Sequence, residues 1–380
     1  MELETLFSPE KIGTVRIKNR IVRSATYMRS AEKYGYVGNK LIDIYSELAR
    51  GGTGLIISGF TAVDPGGTAS PYQMCLYDDS FMAGQKRLAD AVHDYADTKI
   101  AAQIAHMGHQ GRHPKYPTVA PSPIPSKYTG ITPQELTTEE VYKFIKNFIN
   151  TGRRVYECGY DMVQLHAAHG YFLSNFISPY TNKRKDDFGG TTQKRAKILI
   201  DIYNGLRDEL GKDFPIIIKL QTEDFIPNGI SFNEGVELAK ILSETGFDAI
   251  EPSGGGTETQ ALTKHTFPSK RIKSPQDENY FLPIVKAIRP HMNKTALILM
   301  GGIKNPLFAE RVLKDKIADF IAMSRPLIYE PELPNRWKAG DYSPAKCISC
   351  NACFMSMGKG PVYCVTKKSL EDKEKRTKNQ

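Results

Sequence analysis

Residues 162–176 read MVQLHAAHGYFLSNF, and the stretch changes character halfway. Met162 to Leu165 read as the end of a buried strand; His166 follows, and after Ala167-Ala168 the chain reaches His169-Gly170-Tyr171. Side chains alternate across a strand, so positions 166 and 169 would point to opposite faces if the strand ran through both. They share one cavity if His166 stands at the strand end and His169 lies beyond it in a loop. The mouth of a parallel barrel is such a place, because strand C-termini converge there.

Working outward, the rest of the chain divides into the same unit of apolar strand, loop and amphipathic helix. Strands are expected at 20–27, 54–60, 99–105, 162–168, 215–221, 249–255, 296–302 and 320–326. Helices are expected near 39–51, 79–97, 138–158, 191–211, 232–246, 277–291 and 305–315, with a weaker one at 331–339. Strands apolar on both faces and alternating with helices mean a parallel sheet covered by helices. Eight such units predict an α/β fold of the (β/α)8 TIM barrel class rather than an open sheet. Residues 9–19, PEKIGTVRIKN, read as a hairpin ahead of the first strand, placed to cap the barrel bottom. The segments 61–78 and 106–137 are too long and too rich in Gly and Pro for ordinary connections, which marks them as functional loops. The organisation expected is a barrel over 1–345, a cysteine-bearing extension over 346–364 and a charged, disordered tail over 365–380.

Composition limits the function classes. No run of 18 apolar residues exists, so no membrane span is expected, and the N-terminus lacks a signal region. The expectation is a cytosolic enzyme. The net charge of +9 owes three units to residues 365–380, whose mixed signs read as a solvated end and not as a nucleic-acid contact.

The polar residues at strand ends then carry the chemistry. Gln103 lies on the third strand with His106 after it, Lys219 on the fifth, Gly301-Gly302 end the seventh and Ser324-Arg325 the eighth. A barrel brings all of these to one mouth. Glycines after strand seven with an arginine after strand eight match the phosphate site common in this architecture. Gln103 offers both a donor and an acceptor to an imide edge. Lys219, in an apolar strand, needs an anion: a bound ligand, or Glu223 or Glu251 of the chain itself. No G-x-G-x-x-G follows a strand, so a Rossmann dinucleotide domain is not expected. A zinc reading of His-x-x-His lacks the i, i+4 spacing and the glutamate of the helical zinc motif.

Six stretches now stand together: LFSPEKIG near the N-terminus, IKNRIVRSATY at 17–27, AAQIAHMGHQGR at 101–112, HAAHGYFLSNFISPYTNKRKDDFGG at 166–190, LMGGI at 299–303 and MSRPLI at 323–328. Over about residues 5–345 the chain resembles the old yellow enzyme family of FMN-dependent ene reductases. The resemblance implies FMN at the barrel mouth, with Ala25, Thr26, Phe60 and Gln103 along its ring system and Lys219 near the N1–C2=O edge. It implies that Gly301, Gly302, Ser324 and Arg325 hold the phosphate. It assigns His166 and His169 to the electron-withdrawing oxygen of an activated alkene, Tyr171 to proton donation, and NADH or NADPH to reduction of the flavin. Lys219 stands where an arginine is expected, keeping the charge but losing the bidentate fork. Tyr27 stands where many members place a Thr or Cys that tunes the flavin. The rival functions are an amine dehydrogenase or demethylase like trimethylamine dehydrogenase, and a flavoprotein electron carrier.

Cys347, Cys350, Cys353 and Cys364 form C-x2-C-x2-C-x10-C just past the barrel. In a cytosolic protein such a group points to a metal before disulfides, and the spacing is closer to iron–sulfur runs than to zinc knuckles. A [4Fe–4S] cluster, a zinc ion and empty thiols are the three readings. The subfamily of trimethylamine dehydrogenase and 2,4-dienoyl-CoA reductase carries a [4Fe–4S] cluster at the corresponding place, followed by further domains. Nothing of that kind follows Cys364 in these 380 residues, so a cluster here is expected either to take electrons from a partner electron-transfer protein or to be a structural remnant.

Overall fold

The computed structural model describes residues 2–95, 97–263, 268–358 and 360–378. Eight parallel strands run Ile21–Arg23 (β1), Leu55–Ile57 (β2), Lys99–Ala105 (β3), Met162–Ala167 (β4), Ile216–Glu223 (β5), Ala249–Gly254 (β6), Ala296–Met300 (β7) and Phe320–Met323 (β8). Each pairs with the next, and β8 pairs with β1, so the sheet closes on itself as the (β/α)8 reading requires. β1 and β2 are shorter than expected because their ends turn into loops; Thr61–Ala62 forms a separate short pairing with the end of β3.

Side-chain alternation divides every strand between two cores. Val22, Leu55, Ala101, Met162, Ile217, Ala249 and Ile298 point into the barrel, while Ile21, Ile56, Ile100, Val163 and Ile218 pack outward against the helices. The expected hairpin is present, with Glu10–Ile12 antiparallel to Val15–Ile17. Ile12 and Ile17 are fully buried in the inner core and close the barrel bottom. Each contributes roughly 1.5–3 kcal/mol by leaving water. The helix Thr138–Glu157 starts at a capping box between Thr137 and Glu140, one residue earlier than its sequence signal suggested.

Two segments differ from expectation. The helix read over 277–291 is a short helix, Leu282–Ile288, flanked by single 3-10 turns. Pro283 suits a first helical turn, and Pro290 stops the ladder. The tail read as disordered is helical over Val365–Lys378. Its Lys, Glu, Leu and Arg residues are good helix formers, and without an apolar stripe the helix past its first turn lies in solvent. Residues 379 and 380 of that tail, residue 96 of the expected helix 79–97 and residues 264–267 of the loop after β6 lie outside the described residues. Among the described residues no helix is long and apolar enough to cross a membrane.

Candidate active site at the barrel mouth

The register of neighbouring strands sets one layer of polar side chains across the barrel. Gln103 on β3 lies opposite Gln164 on β4, and Lys219 on β5 lies opposite both His166 and Glu251 on β6. Gln103 Nε2 donates to Gln164 Oε1 at 2.7 Å, and Gln164 Nε2 donates to Glu251 Oε2 at 3.0 Å. The other carboxylate oxygen accepts from Ser24 Oγ at 2.6 Å and meets Lys219 Nζ at 2.5 Å. Lys219 also donates to Ser24 Oγ at 3.0 Å, so five residues from five strands make one buried belt. Of the two carboxylates in question for Lys219, the structure selects Glu251. Burial still holds the Lys219 amine below the usual lysine value, against the pull of that carboxylate.

Above the belt, His166 ends the inward-facing series Met162, Gln164, His166. His169 lies past the strand end in left-handed backbone, φ +66°. Three neighbours hold it there: its N–H donates to Gln221 Oε1 at 2.8 Å, its carbonyl accepts from Gln110 Nε2 at 2.6 Å, and its Nε2 meets Ser253 Oγ at 2.7 Å. The ring centroids of His166 and His169 are 5.1 Å apart, and those of His166 and Tyr171 are 4.9 Å apart. Tyr171 sits at the N-cap of the helix Phe172–Ile177, which turns its ring back over the mouth. The Phe60 ring lies 5.6 Å from Tyr171 and 4.9 Å from Tyr27, and it completes an aromatic wall.

His166 Nδ1 is buried with no hydrogen-bond partner. Such orphaned polar atoms are rare in folded proteins and call for a ligand. Burial, reinforced by the charge on Lys219, holds His166 down to about 3, and burial drives His169 in the same direction. Both rings are therefore neutral at neutral pH. Burial pushes the Tyr171 phenol up to about 12, so it keeps its proton.

His106 is not part of this mouth. Outward-facing residues of β3 are Ile100, Ala102 and Ile104, and the same parity carries His106 to the helix side. There it packs edge-on to Phe144 and Phe172 and accepts from Gly108 N at 3.0 Å.

The residues expected around a phosphate occupy one sector but are not equally free. Gly301 and Gly302 have φ of +107° and +80°, and a Cβ on either would strike the rings of Tyr280 and Phe281 or the end of Ile272 at 2.7–3.2 Å. Only glycine suits both positions. Ser324 Oγ shares a 2.7 Å hydrogen bond with Thr26 Oγ1, and Ala25 lies half-buried at the top of the inner core. Arg325 is turned away from the strand ends. Its Nη1 donates to Lys270 O at 2.7 Å, Ser349 O at 3.3 Å and Asn351 Oδ1 at 2.5 Å, which ties the barrel to the cysteine loop.

Of the four cysteines, Cys347 is buried and Cys350, Cys353 and Cys364 are half-buried, and none forms a disulfide. Burial raises the Cys347 and Cys353 thiols, opposed by the charge of Arg325 and reinforced by the other cysteines of the group. The four are thus close enough to feel one another. Among the described residues, no three His, Cys, Asp or Glu side chains are drawn together as ligands of a single metal ion.

Sequence reasoning missed Ser24, Gln164, Gln221 and Ser253. A usable signal was present for them. Each is a polar residue at an inward-facing position on a barrel strand or, for Ser24, one residue past it.

The family model described as NADH:flavin oxidoreductase / NADH oxidase matches residues 5–343. The NADH oxidase of Thermoanaerobacter brockii is 36% identical over 351 residues, covering 91% of this chain and 52% of that protein. The 4,4'-dithiodibutanoate disulfide reductase of Rhodococcus erythropolis is 30% identical over 396 residues, covering 97% of each. Among solved structures, a 2-naphthoyl-CoA reductase in complex with 2-naphthoyl-CoA superposes with a TM-score of 0.88 at 27% identity, over 96% of this chain and 57% of that one. The chain spans about half the length of that NADH oxidase. The match supports FMN as cofactor and NAD(P)H as reductant. With the closed barrel, it shows that this chain belongs to the NADH:flavin oxidoreductase / NADH oxidase family, the old yellow enzyme family.

Proposed function

We propose that this protein uses FMN and NAD(P)H to reduce carbon–carbon double bonds conjugated to a carbonyl or a similar electron-withdrawing group. The observation that carries the reading is the buried, unpartnered His166 Nδ1 with the ring of Tyr171 4.9 Å from its own. The residues suit FMN: a polar belt through Gln103 and Lys219 lies under the mouth, Ala25, Thr26 and Phe60 border it, and Gly301, Gly302 and Ser324 form the sector for a phosphate, which Arg325 would join by turning from its carbonyl partners. Bound there, FMN supplies the hydride equivalent taken from NAD(P)H. His166 and His169, both neutral, donate N–H groups to the substrate oxygen as negative charge gathers on it. Ser253 occupies Nε2 of His169 and leaves Nδ1 for that task. One such donor is worth about 2.7–4 kcal/mol in comparable oxyanion sites. Tyr171 then delivers its proton to the carbon next to the activating group. The direct test is to reduce the protein anaerobically with NAD(P)H and mix it with cyclohexenone. Prompt return of the oxidised flavin spectrum is expected; no return, with bleaching of the oxidised protein by amines alone, would overturn the reading.

The same reading gives the four cysteines a [4Fe–4S] cluster fed by a partner electron-transfer protein. A tetrahedral zinc site with bonds of about 2.3 Å needs its sulfurs about 3.8 Å apart. What supports a shared centre is that the thiols of Cys347 and Cys353 each sense the charge of the other cysteines of the group. The two arginines near them, Arg325 and Arg23, supply charge of the sign that thiolates need.

A further inference from the structure

Arg23 closes β1 with 3% of its surface exposed, yet among the described residues no carboxylate lies within 4.0 Å of it. Val22 and Ser24 point into the barrel, so Arg23 points outward, away from the belt and the mouth. Its guanidinium donates to the carbonyl of Ser324 and to Met28 Sδ at 3.6 Å, which leaves the charge itself unanswered. A guanidinium stays protonated in proteins and is costly to bury without an anion. The surroundings show where that anion belongs. Arg23 lines a cavity of about 510 Å³ together with Cys364, and the polar groups within its charge reach are the phenol of Tyr45, which stays protonated, and then Cys353. Glu47 and Glu371 line the same cavity without coming within 4.0 Å of it.

We infer that Arg23 is the counter-cation of the four-cysteine centre, an inference that rests on the cluster reading above. Four thiolates carry more negative charge than a [4Fe–4S] core offsets, so the loaded centre is an anion packed against a buried cation. Through the Ser324 carbonyl, the same side chain also fixes the strand end next to Arg325, whose guanidinium holds the cysteine loop at Ser349 and Asn351. Arg23 is a positioning and tuning residue. It touches neither substrate nor the reacting atoms.

Removing a nearby positive charge favours the oxidised, less negative state of the centre and lowers its midpoint potential. The test is an anaerobic redox titration of the cluster, followed by paramagnetic resonance, in the full chain carrying Arg23→Met and Arg23→Lys. Arg23→Met is expected to shift the ratio of oxidised to reduced centre about tenfold, which is 59 mV for one electron, while Arg23→Lys stays near the wild-type value. Arg23→Gln, which keeps a donor for the Ser324 carbonyl and loses only the charge, gives the same reading should Arg23→Met fail to accumulate. A metal-replete Arg23→Met or Arg23→Gln with wild-type potential overturns the assignment of Arg23 alone. Wild-type protein that carries zinc, or no metal on its thiols, overturns the cluster reading on which it stands.

Discussion

Two loops of this chain carry reactive side chains past the end of a barrel strand, and they are held in different ways. In the loop after β4, the backbone of His169 is fixed on both sides by Gln110 and Gln221, and its ring by Ser253. All three come from other barrel loops or strands, so the positions of His166, His169 and Tyr171 follow from strand register before any ligand binds. The loop after β8 is held differently. Its backbone is tied down by Arg325, and by Asn351 Nδ2 donating to Ser269 O at 2.6 Å, while its sulfurs rest on neighbours within the extension itself, with Lys367 N donating to Cys364 Sγ at 3.5 Å and Cys350 Sγ meeting Thr366 Oγ1 at 3.6 Å. One site is preorganised by protein alone. The other is framed by its own segment, and on the cluster reading proposed above an occupant would gather its sulfurs.

If that contrast is correct, the two sites come apart under mutation. Cys350→Ala is the largest test: in anaerobically purified protein, iron and sulfide near four each are expected to fall to almost nothing while FMN content is unchanged. Parallel loss of flavin would mean that the extension also builds the mouth. Next, Tyr171→Phe is expected to leave reduction by NAD(P)H intact and to slow reoxidation by cyclohexenone about 10²–10⁴-fold, as measured by stopped flow. Equal slowing of both half-reactions would instead give Tyr171 the task of orienting nicotinamide. His166→Ala and His169→Ala are each expected to weaken binding of a phenolate ligand about 10²-fold and to dim its long-wavelength charge-transfer band. A variant that keeps wild-type affinity would remove that histidine from the oxygen site.

The smallest effect is on stability and follows from the preorganised side. Burial holds His166 at about 3 in the folded protein, whereas an unfolded histidine titrates near about 6.5. The folded value is the lower one, so the contribution is full above about 6.5 and is lost as pH falls toward 3. Urea unfolding at pH 7 and pH 5 is expected to differ by on the order of 2 kcal/mol more in wild type than in His166→Asn. An equal pH dependence in both would mean that His166 is not held neutral by the fold.

The barrel was legible because each strand is apolar on both faces and is followed by a helix, a pattern with few solutions. His166, His169 and Tyr171 were legible because their spacing breaks strand parity at a place where a barrel has its mouth. The belt was only half legible. Lys219 and Gln103 stand out in apolar strands, but that Ser24, Gln164 and Glu251 meet them depends on the stagger between strands, which no single strand encodes. Parity would have removed His106 from the mouth had the end of β3 been known. The direction of Arg325 was not readable, since it depends on an extension that folds back from beyond the last strand. The helix at Val365–Lys378 was missed because apolar periodicity was required of it, where propensity was enough.

The pairing of Met323 with Arg23 joins the last barrel strand to the first across 300 residues of chain. Two arginines that anchor the approach to the cysteine loop stand at that seam: Arg23 on one edge, holding the Ser324 carbonyl, and Arg325 on the other. During synthesis, β1 leaves the ribosome long before its partner exists, and such distant pairings form slowly. The seat for the cysteines is therefore completed only when the ring of strands is shut. On the cluster reading proposed above, a metal donor that arrives early would meet a loose peptide, and one that arrives late a finished pocket. Occupancy of the thiols would then record, molecule by molecule, whether the barrel had closed.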